Sequence, residues 1–342
     1  MWAWKLPSGR NAAEPPPSRW PVLQARFCAT SSEWMPINLM TQLSPRMPLP
    51  EDRRFALLFR VTLVSFGLAL AFLTRSAATQ PLALSRPAAT QFALEGPVQQ
   101  GALVRGVAPP GTAELTLDGK PVPLSPDRRF LLGFDRDSKA QALLQARLAD
   151  GRLLAQQLQV APRSWRIEHV NVARRPGGPT AEYLRRREIE LARITAARAV
   201  NSENSGWRQS FIWPARGRIS GRFGSQRIYR GEPASFHSGV DVAPGAGAPV
   251  VAPADGVVVL AGPPAFSLEG NLLIIDHGMG LNSAFLHLAS QTVRVGQTVR
   301  QGQLIGTVGA TGRATGPHLH WSMKWQDARI DPQTIAGPMI GA

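Results

Sequence analysis

Cysteine is nearly absent from this chain of 342 residues: Cys28 stands alone, so no intrachain disulfide can form. Cys28 falls in the N-terminal leader described below, and removal of that leader would leave no cysteine, a composition that suits an oxidising envelope compartment without requiring one. Lysine is also scarce, because only Lys5, Lys120, Lys139 and Lys324 contribute to the 38 basic residues and the remainder are arginines scattered along the chain. No dense basic run with interleaved aromatics occurs, which argues against a nucleic-acid partner. What is present is a formal charge of +15, which favours an anionic partner such as a membrane surface or an acidic polymer. The length and a hydrophobic content of 44% support two packed domains.

Residues 1–79 read as a leader. Arg53 and Arg54 precede the apolar run from Val61 to Leu73, and the small residues Ser76, Ala77 and Ala78 follow it. That is the layout of a signal peptide. The run is short for a spanning helix; extended from Phe55 through Arg60, it would serve as an uncleaved membrane anchor. Either form places the remainder outside the cytoplasmic membrane, in the cell envelope. Met40 and Met47, just ahead of the arginine pair, offer alternative first residues.

After a Pro/Ala/Ser-rich linker from Thr79 to Phe92, short apolar runs alternate with turn chemistry at Pro109-Pro110-Gly111, Asp118-Gly119, Ser125-Pro126-Asp127 and Asp150-Gly151. Strands are expected at Ala102–Val107, Ala113–Leu117, Arg129–Phe134, Ala142–Leu148 and Leu153–Val160. Residues 92–162 thus read as a small Ig-like β-sandwich serving as a spacer or binding module. His169, in the connecting segment, reads as structural. Residues 179–200 lack internal Gly and Pro and predict one amphipathic linker helix with Tyr183, Leu184, Leu191 and Ile194 on roughly one side. From Trp207 the composition turns to glycine, valine and turn residues, so 207–335 is expected to be a C-terminal antiparallel β domain and the fold class mainly β. Its repeat of Val-x-x-Gly-Gln, at Val293–Gln297 and Val299–Gln303, resembles the hairpin wraps of lipoyl-type carriers. A carrier needs a lysine at a hairpin tip, and none lies between Lys139 and Lys324.

Histidines concentrate in this domain: His237 in HSGVD, His277 in IDHG, His287 in FLHLA, and His318 with His320 in HLH. Taken singly, each would more often be structural. Together, His-x-x-x-Asp followed far downstream by His-x-His has the donor types of a zinc site. On a straight strand His237 and Asp241 would be about 13 Å apart at roughly 3.3 Å per residue, too far for one ion, but Gly239 permits a bend. The strand period puts His318 and His320 on one face with Leu319 on the other. One imidazole can then ligate while its neighbour overhangs the open coordination position.

These residues resemble the lysostaphin-type zinc metalloendopeptidases that cut the peptide part of bacterial peptidoglycan. The likeness covers roughly Trp213 to Pro332 and extends to HSGVDVAPGAGAPVVAPADGVV, GNLLIIDHGMGLNSAFLHL and GATGRATGPHLHW. The resemblance implies one zinc per chain on His237, Asp241 and His320, with His287 and His318 as catalytic histidines and peptidoglycan peptide stems as partner. It further implies that His318 accepts or steers the proton of the attacking water, while His287 stabilises the oxyanion or protonates the leaving amine. Phe285 departs from the family's usual tyrosine and is expected to pack beside the active site without donating a hydrogen bond. His277 is expected to be structural. The alternative reading is a non-catalytic scaffold that activates cell-wall amidases, as in family members that have lost ligands; here all five site residues are present. The loops Gln226–Phe236 and Ala261–Glu269 are where the choice of bond would be made. Nothing in the sequence fixes an oligomeric state.

Overall fold

The computed structural model describes residues 91–173 and 178–339. The leader, with its apolar run and Cys28, lies outside the described residues, and among the described residues no helix is long and apolar enough to cross a membrane.

The first strands are β1 (Ala93–Glu95), β2 (Leu103–Val107), β3 (Thr112–Leu117), β4 (Lys120–Pro121), β5 (Arg129–Gly133), β6 (Gln141–Leu148) and β7 (Leu153–Gln159). They form a sheet of order β1-β2-β5 and a second of order β4-β3-β6-β7. The expected strands agree within a residue at each end, whereas β1 and β4 are additions. Alternation makes the strands: in β6 Ala142, Leu144, Ala146 and Leu148 are buried and the residues between them are not. Asp118 and Gly119 both adopt positive φ, the geometry of a tight hairpin turn between β3 and β4.

The connector then does something that its composition does not announce. β8 (Ile167–Val170) is followed by helix α1 (Ala181–Ala199), β9 (Arg218–Gly221), β10 (Gln226–Tyr229) and β11 (Glu232–Pro233), and β8 pairs in parallel with β10. Trp165, just ahead of β8, packs edge-on against Phe223 with ring centroids 5.7 Å apart. α1 is capped by the Thr180 hydroxyl, which accepts from the Tyr183 N–H at 3.1 Å. Its docking face differs from the one expected: Glu190 and Ala197 are buried, while Leu184 and Leu191 are exposed. Of the expected face, Ile194 does pack beside Ala197 on a small apolar core, and charged pairing, described below, supplies the rest.

The large sheet adds β12 (Val240–Ala243), β13 (Pro249–Val251), β14 (Gly256–Leu260), β15 (Asn271–Asp276), β16 (Leu281–Gln291), β17 (Thr298–Val299), β18 (Leu304–Val308), β19 (Leu319–Trp325) and β20 (Ala328–Ile330). Its order is β17-β14-β15-β16-β19-β12-β9, with β13, β18 and β20 attached beside it. The central strands read as continuous apolar runs because both faces are covered: one core holds Leu273, Phe285, Leu319 and Trp321, and a smaller one holds Leu272, Ile274, Ala284 and Leu286. The repeat builds two like turns, in which the Gln297 and Gln303 side chains accept from the N–H groups of Arg294 and Arg300. The larger core also includes Phe130, Leu131 and Leu132 of β5, so packing is continuous from the small sheets into the large one.

Candidate metal centre

β12 lies between β9 and β19, with Asp241 opposite His320 on one side and Gly221 on the other. Direct pairing puts Asp241 and His320 on the same face of the sheet. His237 arrives from the loop before β12, turned at Gly239. That glycine has no left-handed backbone; its role is space, since a Cβ there would meet the Trp321 carbonyl at 2.5 Å and His320 Nε2 at 2.7 Å. A Cβ at Gly221 would likewise crowd the Asp241 carboxylate.

His237 Nε2 lies 3.1 Å from Asp241 Oδ1 and 3.0 Å from His320 Nδ1, and the third edge, His320 Nδ1 to Asp241 Oδ1, is 2.8 Å. A tetrahedral ion with bonds near 2 Å separates its ligand atoms by about 3.3 Å, so this triangle fits one such ion. The His237 Nδ1–H donates to the Arg222 carbonyl at 3.1 Å, which leaves the Nε2 lone pair turned inward. Burial opposes ionisation of Asp241, but the His237 and His320 rings set against its carboxylate outweigh it and hold the carboxyl well below the ordinary carboxylate range. Burial lowers the His320 imidazole, favouring the neutral form that a metal requires. Two imidazoles and one carboxylate are a donor set suited to zinc.

The other two rings face the same place. His318 donates its Nδ1–H to the Gly316 carbonyl at 2.8 Å, and its Nε2 stands 3.8 Å from Asp241 Oδ1. His287 donates its Nδ1–H to the Thr311 carbonyl at 2.7 Å, and its ring centroid is 4.9 Å from that of His318. His287 has φ of 65°, a left-handed conformation that costs a non-glycine residue about 1 kcal/mol or more. It sits where β16 breaks register with β15, two residues before a second break with β18 at Ala289. Such bulges re-aim a side chain out of the strand's alternation. Burial pulls the His287 ring down to about 4, so it is neutral near pH 7.

All five expected residues therefore come together, and the remaining histidines stand apart. His277 is fully buried, with Nδ1 2.7 Å from the Asp255 carbonyl and Nε2 2.9 Å from the Ser283 hydroxyl; His169 is exposed on β8. Phe285 departs from expectation: fully buried opposite Leu273 and Trp321, it belongs to the large core rather than to the face that carries His320. The backbone carbonyls of Arg222, Thr311 and Gly316, which fix the rings, escape a reading of side-chain identities; the only sequence signal for the last two is their place in the glycine-rich GATGRATGP. A groove of about 460 Å³ opens onto His237 and Asp241. A larger cavity of about 860 Å³, bounded by Leu117, Lys139 and Trp325, contains no histidine.

Residues 235–332 match Peptidase family M23. The chain is 37% identical over 123 residues to the peptidoglycan DD-endopeptidase ShyC of Vibrio cholerae, covering 35% of this chain and 28% of that protein. It is 38% identical over 125 residues to the DD-carboxypeptidase/endopeptidase Mpg of Neisseria meningitidis, covering 35% of this chain and 27% of that protein. It thus spans under a third of the length of these curated relatives. A crystal structure from Pseudomonas aeruginosa assigned to peptidase M23 superposes with a TM-score of 0.54 at 33% identity, covering 70% of this chain and 95% of that one. With a relative of that identity matched along nearly its whole length, this chain belongs to peptidase family M23.

Proposed function

We propose that the chain is an exported zinc endopeptidase that hydrolyses peptide cross-links of bacterial peptidoglycan. The observation that carries this reading is the triangle of ligand atoms, with edges of 2.8 to 3.1 Å, overhung by two further imidazoles held by backbone carbonyls. His237, Asp241 and His320 would hold the metal. When bound, zinc supplies Lewis acidity, which makes water a competent nucleophile near neutral pH and polarises a carbonyl. His318 accepts the proton of the attacking water on Nε2, because its other nitrogen is committed to Gly316. His287 is neutral at rest with its Nδ1–H on Thr311, so it can serve the developing oxyanion or the leaving amine only after taking a proton on Nε2. The relatives named as DD-endopeptidases support peptidoglycan stems as substrate. The small paired sheets are read as a spacer or binding module, α1 as a linker helix, and the leader as the export signal or membrane anchor.

The test is elemental analysis of purified protein together with mass spectrometry of the fragments it releases from purified cell walls. One zinc per chain and conversion of cross-linked dimers to monomers, both abolished by a zinc chelator, are expected. Absence of zinc together with intact cross-links would favour the non-catalytic activator instead. Export is tested by fusing residues 1–90 to a reporter active only outside the cytoplasm; a silent reporter would contradict the envelope assignment.

A further inference from the structure

The groove that opens onto His237 and Asp241 has a wall built largely outside the matched family region, which begins at residue 235. Arg166 and Glu168 come from the connector, Arg222 from the residue just after β9 and Arg227 from β10. Parallel pairing of β8 with β10 brings the connector here and sets Glu168 opposite Arg227. Within the wall the charges do not cancel. The Glu168 carboxylate is taken by Arg227 at 2.7 Å, and Asp241 is turned to the two histidines of the metal cluster. That leaves two guanidinium groups, those of Arg166 and Arg222, without a carboxylate to pair with in the groove beyond the neighbouring Glu168. Among the described residues the Arg222 guanidinium has no hydrogen-bonding or ionic partner, while its backbone carbonyl anchors the His237 ring. The site's support and an open cation are thus the same residue.

We infer that Arg222 and Arg166 form a carboxylate subsite, so that the preferred substrate is a peptide bearing a free carboxylate beside the scissile bond. A planar guanidinium matches a carboxylate with two parallel hydrogen bonds, and an exposed groove lets both charges stay partly solvated until they meet. This rests on the hydrolase reading and deepens it. It also gives the connector a share in substrate selection, because removing β8 would remove Arg166 from the groove.

The experiment compares cross-linked stem dimers carrying free carboxylates with the same dimers chemically amidated. Wild-type protein should show a KM roughly tenfold lower for the carboxylate form, the scale of one charge-assisted contact. Arg166→Gln should raise KM for the carboxylate form, leave kcat within about twofold, and erase much of the discrimination, and Arg222→Gln should raise KM for the carboxylate form more than for the amidated one. Arg222→Lys should retain part of it. Both side chains are exposed, so folding is unaffected, which circular dichroism checks. Equal KM values for the two forms in wild type, or an equal loss on both forms in the variants, would overturn the subsite while leaving the hydrolase reading intact. Failure of wild type to cleave either form would overturn both.

Discussion

At the residue scale, the chemistry depends on which nitrogen each ring turns inward. His237, His287 and His318 all spend Nδ1–H on a backbone carbonyl and present Nε2, whereas His320 presents Nδ1. This separates the members of the His-Leu-His pair. If the ion is held as proposed, His320→Ala would leave it only His237 and Asp241, so most of the zinc and the activity should be lost. His318→Ala should keep its zinc and lose roughly 10² to 10⁴ in cell-wall hydrolysis, the range for a positioned acid–base group. Metal content measured beside turnover separates the two, and zinc retention by both variants would refute the division. Phe285 makes a different point. Because its ring is fully buried in the core, Phe285→Tyr would bury a hydroxyl there; about 1–3 kcal/mol of stability should be lost if no acceptor is reached, seen as a lower urea midpoint with zinc content unchanged. A stable variant with higher turnover would mean that the hydroxyl reaches the catalytic face. The donor residues were legible in the sequence because His and Asp advertise their chemistry. The facing of Phe285 was not, since the register break at His287 interrupts the alternation from which facing is read.

At the element scale, α1 is held by charges as well as by Ala197 and Ile194, which pack on the smaller core. Arg187 meets Glu269 at 2.5 and 2.6 Å and Glu190 at 2.9 Å, and Glu190 in turn accepts from the Ser267 N–H and hydroxyl at 2.7 and 2.6 Å. The helix therefore pins the loop between β14 and β15, and the Glu269 carbonyl of that loop accepts the His287 N–H at 2.9 Å. Arg187→Ala leaves two largely buried carboxylates facing each other without their cation, and the docking should weaken by roughly 3–5 kcal/mol. Amide hydrogen exchange should then speed up together in α1 and in the loop 261–270. Arg186→Ala, which breaks an exposed pair with Glu182 at 3.6 Å, should leave both protected. Equal protection in the two variants would dismiss the pin. The helix's length was readable from the absence of Gly and Pro. Its docking face was not, because hydrophobic periodicity points to Leu184 and Leu191, whereas the matched partners of Arg187 and Glu190 lie near residue 268, far along the chain. β8 was hidden for the same reason: four residues on a connector gain strand geometry only from a partner about sixty positions away.

At the scale of the whole molecule, scattered arginines that read in sequence as surface charge act in part as staples between the N-terminal small sheets, the connector and the C-terminal part. Arg136 is buried and reaches the Gly224 carbonyl and the Gln226 side chain, each at 3.0 Å. Arg208 grips Asp127 with two nitrogens, Arg329 grips Asp135, and Arg163 meets Asp331 at 2.9 Å. Together with the continuous core, these contacts make acid sensitivity a property shared across the body, and His277 carries a separable part of it. Its ring is completely buried, it holds Asp255 and Ser283, and its carbonyl takes the Trp207 N–H at 2.9 Å. Burial pulls the imidazole from 6.5 down to about 4. The unfolded chain therefore binds this proton at a higher pH than the folded one, so the stability due to neutral His277 is present above pH 6.5, falls as pH drops towards 4, and falls no further below that. A shift of this size corresponds to about 3 kcal/mol. His287 titrates in the same window, so the informative quantity is the difference between wild type and His277→Gln, whose amide does not titrate. Urea unfolding at pH 7.5, 5.5 and 4 should show wild type losing about 3 kcal/mol more than the variant across that range, although the variant starts from a lower stability. Parallel profiles for the two proteins would mean that His277 keeps its ordinary affinity for protons in the folded state and that the acid limit is set elsewhere.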